Sequence, residues 1–124
     1  MAQNASDLES ISQTIHLYFE GMYHSDTEKL KRAFHPQASL YGYLEGELVI
    51  IPLDNWLAHV RGVPAPVENG EEYDMKIVST DVTGAVAVVK VADLYLGKRF
   101  TDYLSLVKAE DHWLIVNKVF HYDA

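Results

Sequence analysis

The apolar positions of this chain recur first at helical spacing and then at strand spacing. Leu8, Ile11, Ile15, Tyr18, Phe19 and Met22 fall at three- and four-residue steps, the stripe of an amphipathic helix. Ser6 or Asp7 is the expected N-cap, with Glu9 suited to the first turn, and residues 1 to about 6 are expected to be disordered. Gln13, His16, Glu20 and His24 take the polar side. Ser25 and Asp26 break the stripe and cap a second helix, Thr27 to Phe34, which Pro36 ends. From Ala38 the period is two. Ser39 to Leu44 and Glu47 to Ile51 read as strands around a tight Glu45-Gly46 turn. Pro52 then opens a short helix that buries Trp56, Leu57 and Val60 and closes near Gly62. Residues 63–72 (VPAPVENGEE) form a loop, a candidate lid or rim.

Four strands follow: Tyr73 to Val82, Ala85 to Leu96, Phe100 to Lys108 and Trp113 to His121, the last two a long hairpin. Strand side chains alternate between faces. Asp102, Leu104 and Leu106 therefore share one face, opposite Thr101, Tyr103, Ser105 and Val107. Ala87, Val89, Val91, Asp93 and Tyr95 share a face of the preceding strand. By the same count Lys118 falls with Leu114, Val116 and Phe120. Both faces of strand 85–96 are largely apolar, so it is expected at the centre of the sheet. One face meets the helices; the other is a candidate homodimer interface through the outer sheet face. The order of elements is α+β: a curved, mixed, mostly antiparallel sheet wrapped around a long N-terminal helix and two shorter ones, a cone with a pocket.

Composition narrows the partners. A chain of 124 residues suggests one domain, 1–124. A formal charge of −8 argues against nucleic acid and anionic membranes as partners. There is no cysteine, hence no disulfide framework. No apolar run approaches spanning length, and the polar start MAQNASDLES lacks a signal-peptide layout, so a cytoplasmic location is expected.

The candidate chemistry lies on the inward faces. Asp102, a carboxylate in phase with two leucines, is either a neutral donor in an apolar pocket or an ion-pair partner of Lys118 or Arg99. Lys118 among apolar neighbours reads as a salt bridge or a buried interface, and as a catalytic amine only in third place. Tyr18 is a core aromatic whose hydroxyl needs a partner. Asp93 and Tyr95 share the inward face of their strand near its end; they either sit at a solvated strand end, the favoured reading, or line the cavity mouth, with Asp93 then the first choice for a replacement base. His35 and His59 are the candidate acid/base histidines. No histidine spacing suits a metal. Tyr41, Tyr43, Trp56 and Phe120 are aromatics of the kind that line a site for a flat ligand, and they equally suit core packing. No phosphate loop or cofactor fingerprint is present, so no cofactor is expected.

The element order, together with YFEGMYHSD, FHPQASL and FTDYLSLVKAEDHWLIVNKVF, resembles the nuclear transport factor two-like superfamily of cystatin-like α+β cones. Within it the chain is most similar to the group labelled putative lumazine-binding proteins, near the SnoaL-like polyketide cyclases. One relative with this cone, ketosteroid isomerase, works with an Asp base and an oxyanion hole of a Tyr and a protonated Asp. The resemblance puts Tyr18, eight residues before Asp26, and Asp102 on the oxyanion pair. It puts the base at Gly42, which has no side chain. The implied function is a pocket for a small apolar or aromatic carbonyl compound, with isomerase, dehydratase or cyclase chemistry. The alternative is a non-catalytic dimeric binding or interaction module with a filled cone.

Overall fold

The computed structural model describes residues 2–123, and side chains from residue 6. Helix α1 runs Ala2–His24, α2 Thr27–Ala33 and α3 Leu53–Gly62. The strands are β1 (Phe34–Leu44), β2 (Glu47–Pro52), β3 (Met75–Thr83), β4 (Val86–Tyr95), β5 (Lys98–Ala109) and β6 (His112–Asp123). They form one six-stranded curved sheet in the order β2-β1-β6-β5-β4-β3. Every pairing is antiparallel except β1 with β6, which is parallel. No helix of the described residues is long and apolar enough to cross a membrane.

The helical stripe packs onto the inward face of the sheet. Ile11, Ile15, Tyr18, Phe19 and Met22 of α1 meet Val89, Val91, Leu104, Leu106 and Ile115 in one buried cluster. The start of α1 differs from expectation. The helix begins at Ala2, ahead of the expected caps, and Met1 lies outside the described residues. Neither Ser6 nor Asp7 is an N-cap. Asp7 is buried within the helix, where its carboxylate accepts from Lys108 Nζ at 2.9 Å and Trp113 Nε1 at 3.3 Å. Those two bonds tie α1 to the closing hairpin and hold the Asp7 carboxyl below its usual range. Leu8, counted in the stripe, is exposed.

Asp26 caps α2 as expected, accepting from the amides of Glu28 and Lys29. The helix stops one residue early. Phe34 already belongs to β1 and pairs with Ile115, and Pro36 lies in the irregular stretch before the regular β1–β6 register resumes at Ser39. The turn between β1 and β2 needs positive φ at both Glu45 (51°) and Gly46 (83°), as a tight two-residue hairpin does.

One irregularity moves the chemistry. The β5–β6 register shifts between Ser105 and Leu106: Ser105 pairs with Asn117, but Leu106 pairs with Ile115. Val116 is the extra residue of a β-bulge, and alternation reverses across it. Trp113 and Ile115 face inward before the bulge, Lys118 and Phe120 after it. Lys118 therefore does not share a face with Leu114 and Val116, as simple alternation implies. It faces the interior together with Phe120.

The loop at 63–72 is strapped down. Val67 donates its amide to Tyr23 O, and Tyr23 Oη donates to the Glu71 carbonyl. The Glu71 carboxylate accepts from the amides of Leu96 and Gly97 in the β4–β5 turn. None of 63–72 lines the cavity described next.

Candidate functional site

Four inward polar side chains meet between α1 and the sheet. α1 delivers Tyr18, β4 Asp93, β5 Asp102 and β6 Lys118. Tyr18 and Asp102 are fully buried, Asp93 is 2% exposed and Lys118 6%. Tyr18 Oη donates to Asp102 Oδ2 at 2.7 Å. Lys118 Nζ lies 4.0 Å from the same oxygen, an ion pair beyond hydrogen-bond reach. The ammonium rests among aromatic faces, 4.6 Å from the Trp56 ring centroid, 5.1 Å from Tyr18 and 5.9 Å from Phe120.

The protonation pattern follows from burial and from crowding of carboxyl groups. Burial, then the neighbouring Asp102 carboxylate, pushes Asp93 up to about 9. At neutral pH Asp93 keeps its proton beside the Asp102 carboxyl. Asp102 is thus the acceptor at the centre, facing a phenol, a carboxylic acid and an ammonium. Burial, then Asp102, holds the Tyr18 phenol well above its usual range. Of the two partners expected for an ionised Asp102, Lys118 is the one beside it, at 4.0 Å. Asp93 is buried, not at a solvated strand end. Arg99 pairs with Asp74, away from the cluster.

Beside this cluster the cone opens into a cavity of about 210 Å³. Trp56, Lys118, Phe120, Tyr95, Phe100 and Leu40 are among its walls, with His59 and Lys98 toward solvent. Tyr18 and Asp102 do not reach it; Lys118 stands between them and the space. Burial pushes the Tyr95 phenol up to about 12, and its hydroxyl has no partner among the described residues.

The expected site residues therefore divide. Tyr18, Asp93 and Asp102 come together, and Trp56, His59, Tyr95 and Phe120 line the cavity. Tyr41 and Tyr43 do not: they are 37% and 61% exposed on the outer sheet face, because Ala38, Leu40 and Gly42 take the inward positions of β1. His35 also lies apart; its Nδ1 accepts the Gln37 amide at the strand entrance. Gly42 is packed solid, and a Cβ there would sit 2.6 Å from Phe120 O. The base position implied by ketosteroid isomerase is thus filled by Phe120. Lys118 is the residue that sequence reasoning undervalued. Its signal, a lysine two residues before an inward phenylalanine, was present but was masked by the bulge.

Comparisons with known proteins agree with this architecture. The chain is 26% identical over 117 residues to the aldolase FrzH of Cladobotryum sp, covering 94% of this chain and 92% of that protein. It resembles a solved NTF-2-like protein of unknown function from Silicibacter pomeroyi at 27% identity and TM-score 0.84, covering 97% of this chain and 98% of that one. A similar protein from Shewanella baltica has 27% identity and TM-score 0.85, covering 97% and 96%. Another, from Methylobacillus flagellatus, has 29% identity and TM-score 0.83, covering 95% and 93%. The family model described as "Putative lumazine-binding" matches residues 6–121, so this chain is a member of that family, on the nuclear transport factor two-like fold.

Proposed function

We propose that the protein binds a small apolar aldehyde or ketone in the cavity and promotes cofactor-free chemistry next to the carbonyl: enolisation, and the isomerisation, dehydration, cyclisation or aldol steps that begin with it. The observation that carries this reading is Lys118, a buried ammonium on the cavity wall and ion-paired behind to Asp102. A carbonyl oxygen entering the cavity meets that cation, and negative charge developing on an enolate oxygen is stabilised by it in a low-dielectric site. Tyr18 and Asp93 fix Asp102, and Asp102 fixes Lys118. The His59 imidazole, on the same lining, is the base in this scheme. The similarity to an aldolase points to the same class of reaction. An engineered cavity of 150 Å³ holds benzene, so 210 Å³ suits a ligand of little more than one ring.

The test is deuterium exchange at the α-carbon of acetophenone in D2O, followed by proton NMR. The wild-type protein should accelerate exchange saturably, and Lys118→Met should lower the rate about a hundredfold or more. Ile51→Trp, which fills the cavity from its rim, should also abolish it with the core intact. Exchange at the buffer rate with wild-type protein would overturn the reading.

The protein as we read it is a homodimer through the outer sheet face. Ile50, Tyr41, Val119 and Tyr103 are cross-strand neighbours in one outward row, and each is more than a third exposed. A second copy of this row, which ends at Lys90 over the Tyr103 ring, is the partner that would cover it.

A further inference from the structure

We infer that Lys118 is a nucleophile that condenses with the carbonyl group of the ligand to form a protonated imine. The inference rests on the carbonyl-binding reading above and adds a covalent step to it.

Lys118 faces the cavity with few partners of its own. A lysine ammonium carries three N–H donors. The Lys118 side chain is only 7% exposed, yet among the described residues Nζ makes no hydrogen bond; its one carboxylate is 4.0 Å away. Its other neighbours are the rings of Trp56, Tyr18 and Phe120, which favour a cation but accept no conventional hydrogen bond. A protonated imine keeps the positive charge over those rings and has a single N–H to satisfy. One acceptor, Asp102, is already on that side. The surroundings thus suit an iminium as well as an ammonium, and the nitrogen faces the cavity from which a carbonyl carbon would approach.

The neighbouring groups fit the steps. Lys118 passes one proton to Asp102, the carboxylate 4.0 Å behind it. The free amine adds to the carbonyl carbon, giving a carbinolamine. The Tyr95 hydroxyl, also unpartnered and on the cavity wall, is the donor available to the new oxygen. The borrowed proton returns, the C–O bond breaks and water leaves through the open end. The net change is ammonium plus carbonyl to protonated imine plus water, balanced in atoms and charge, with no oxidant, reductant or cofactor. The protonated imine then draws electrons from the adjacent C–H bond more strongly than the parent ketone, which is the use of such lysines in carbonyl chemistry. The substrate class is an unhindered aldehyde or methyl ketone of about one ring.

The experiment is reductive trapping of the full-length protein at neutral pH. Benzaldehyde is the probe, sodium cyanoborohydride delivers hydride to the iminium carbon, and peptide mapping by mass spectrometry locates the benzyl group. Labelling of Lys118 should exceed that of the surface residues Lys29 and Lys31 by about tenfold or more. Lys118→Arg retains the charge beside Asp102 but should lose the pocket label. Labelling confined to surface lysines would overturn the inference. If acetophenone exchange then persists, the carbonyl-binding reading survives without the covalent step; if exchange is absent as well, both fall.

Discussion

Asp93→Asn is the most diagnostic single change for the buried cluster. The Asp93 carboxyl titrates at about 9 in the folded protein against 3.8 as a free side chain. Between those values the folded state binds one proton that the unfolded state does not. Stability from this group is therefore full below the unfolded value and declines as pH rises toward the folded one. The slope is about 1.4 kcal/mol per pH unit, so from pH 5 to pH 8 the group removes on the order of 4 kcal/mol. Asparagine keeps the shape and a donor toward Asp102 but does not titrate there. The variant should equal or trail the wild type near pH 5 and exceed its stability by several kcal/mol near pH 8. Urea unfolding monitored by circular dichroism at pH 5, 6, 7 and 8 measures this, with Asp7 and the other carboxylates cancelling in the difference between the two proteins. Parallel stability–pH curves would refute the assignment of a proton to Asp93.

Other consequences are direct. Tyr18→Phe leaves the ring packed but takes from Asp102 its 2.7 Å donor, and should cost about 1.5–3 kcal/mol in urea unfolding; a neutral result would mean that Asp102 does not rely on that bond. Gly42→Ala drives a Cβ to 2.6 Å from the Phe120 carbonyl and should destabilise by about 1–3 kcal/mol. Gly42→Asp, which restores the carboxylate that ketosteroid isomerase would have there, should likewise lose stability and gain no steroid isomerase activity. Tyr103→Glu with Val119→Glu should convert a dimer to a monomer in light scattering without loss of fold, since both side chains are about half exposed on the protomer; a wild-type monomer would remove that interface.

Much of the fold was legible because each element carries its own periodicity. The α1 stripe, the Asp26 cap, the Glu45-Gly46 turn and the inward set Asp102, Leu104 and Leu106 all emerge from local spacing. The meeting of Tyr18 with Asp102, 84 residues apart, was reached only through resemblance to a known cone. The misplacements have a shared cause: alternation holds only while the register is unbroken. The Val116 bulge put Lys118 among the wrong neighbours, and the irregular start of β1 obscured which of its residues face inward. Tyr41 and Tyr43 could have been placed outside from their phase with Ala38, Leu40 and Gly42; a count of aromatics carries no such direction. Which carboxyl Tyr18 and Lys118 approach depends on how α1 and β6 lie against β4 and β5. That is a property of packing, not of spacing.

The central claim is that a carbonyl group belongs beside Lys118. A crystal structure of the protein soaked with acetophenone tests it most directly. The account predicts the ring between Trp56, Phe100 and Phe120, with the carbonyl bonded to Lys118 Nζ, either through its oxygen or as an imine carbon. An unoccupied cavity at saturating ligand, or a bound ligand whose carbonyl points to solvent, would contradict it.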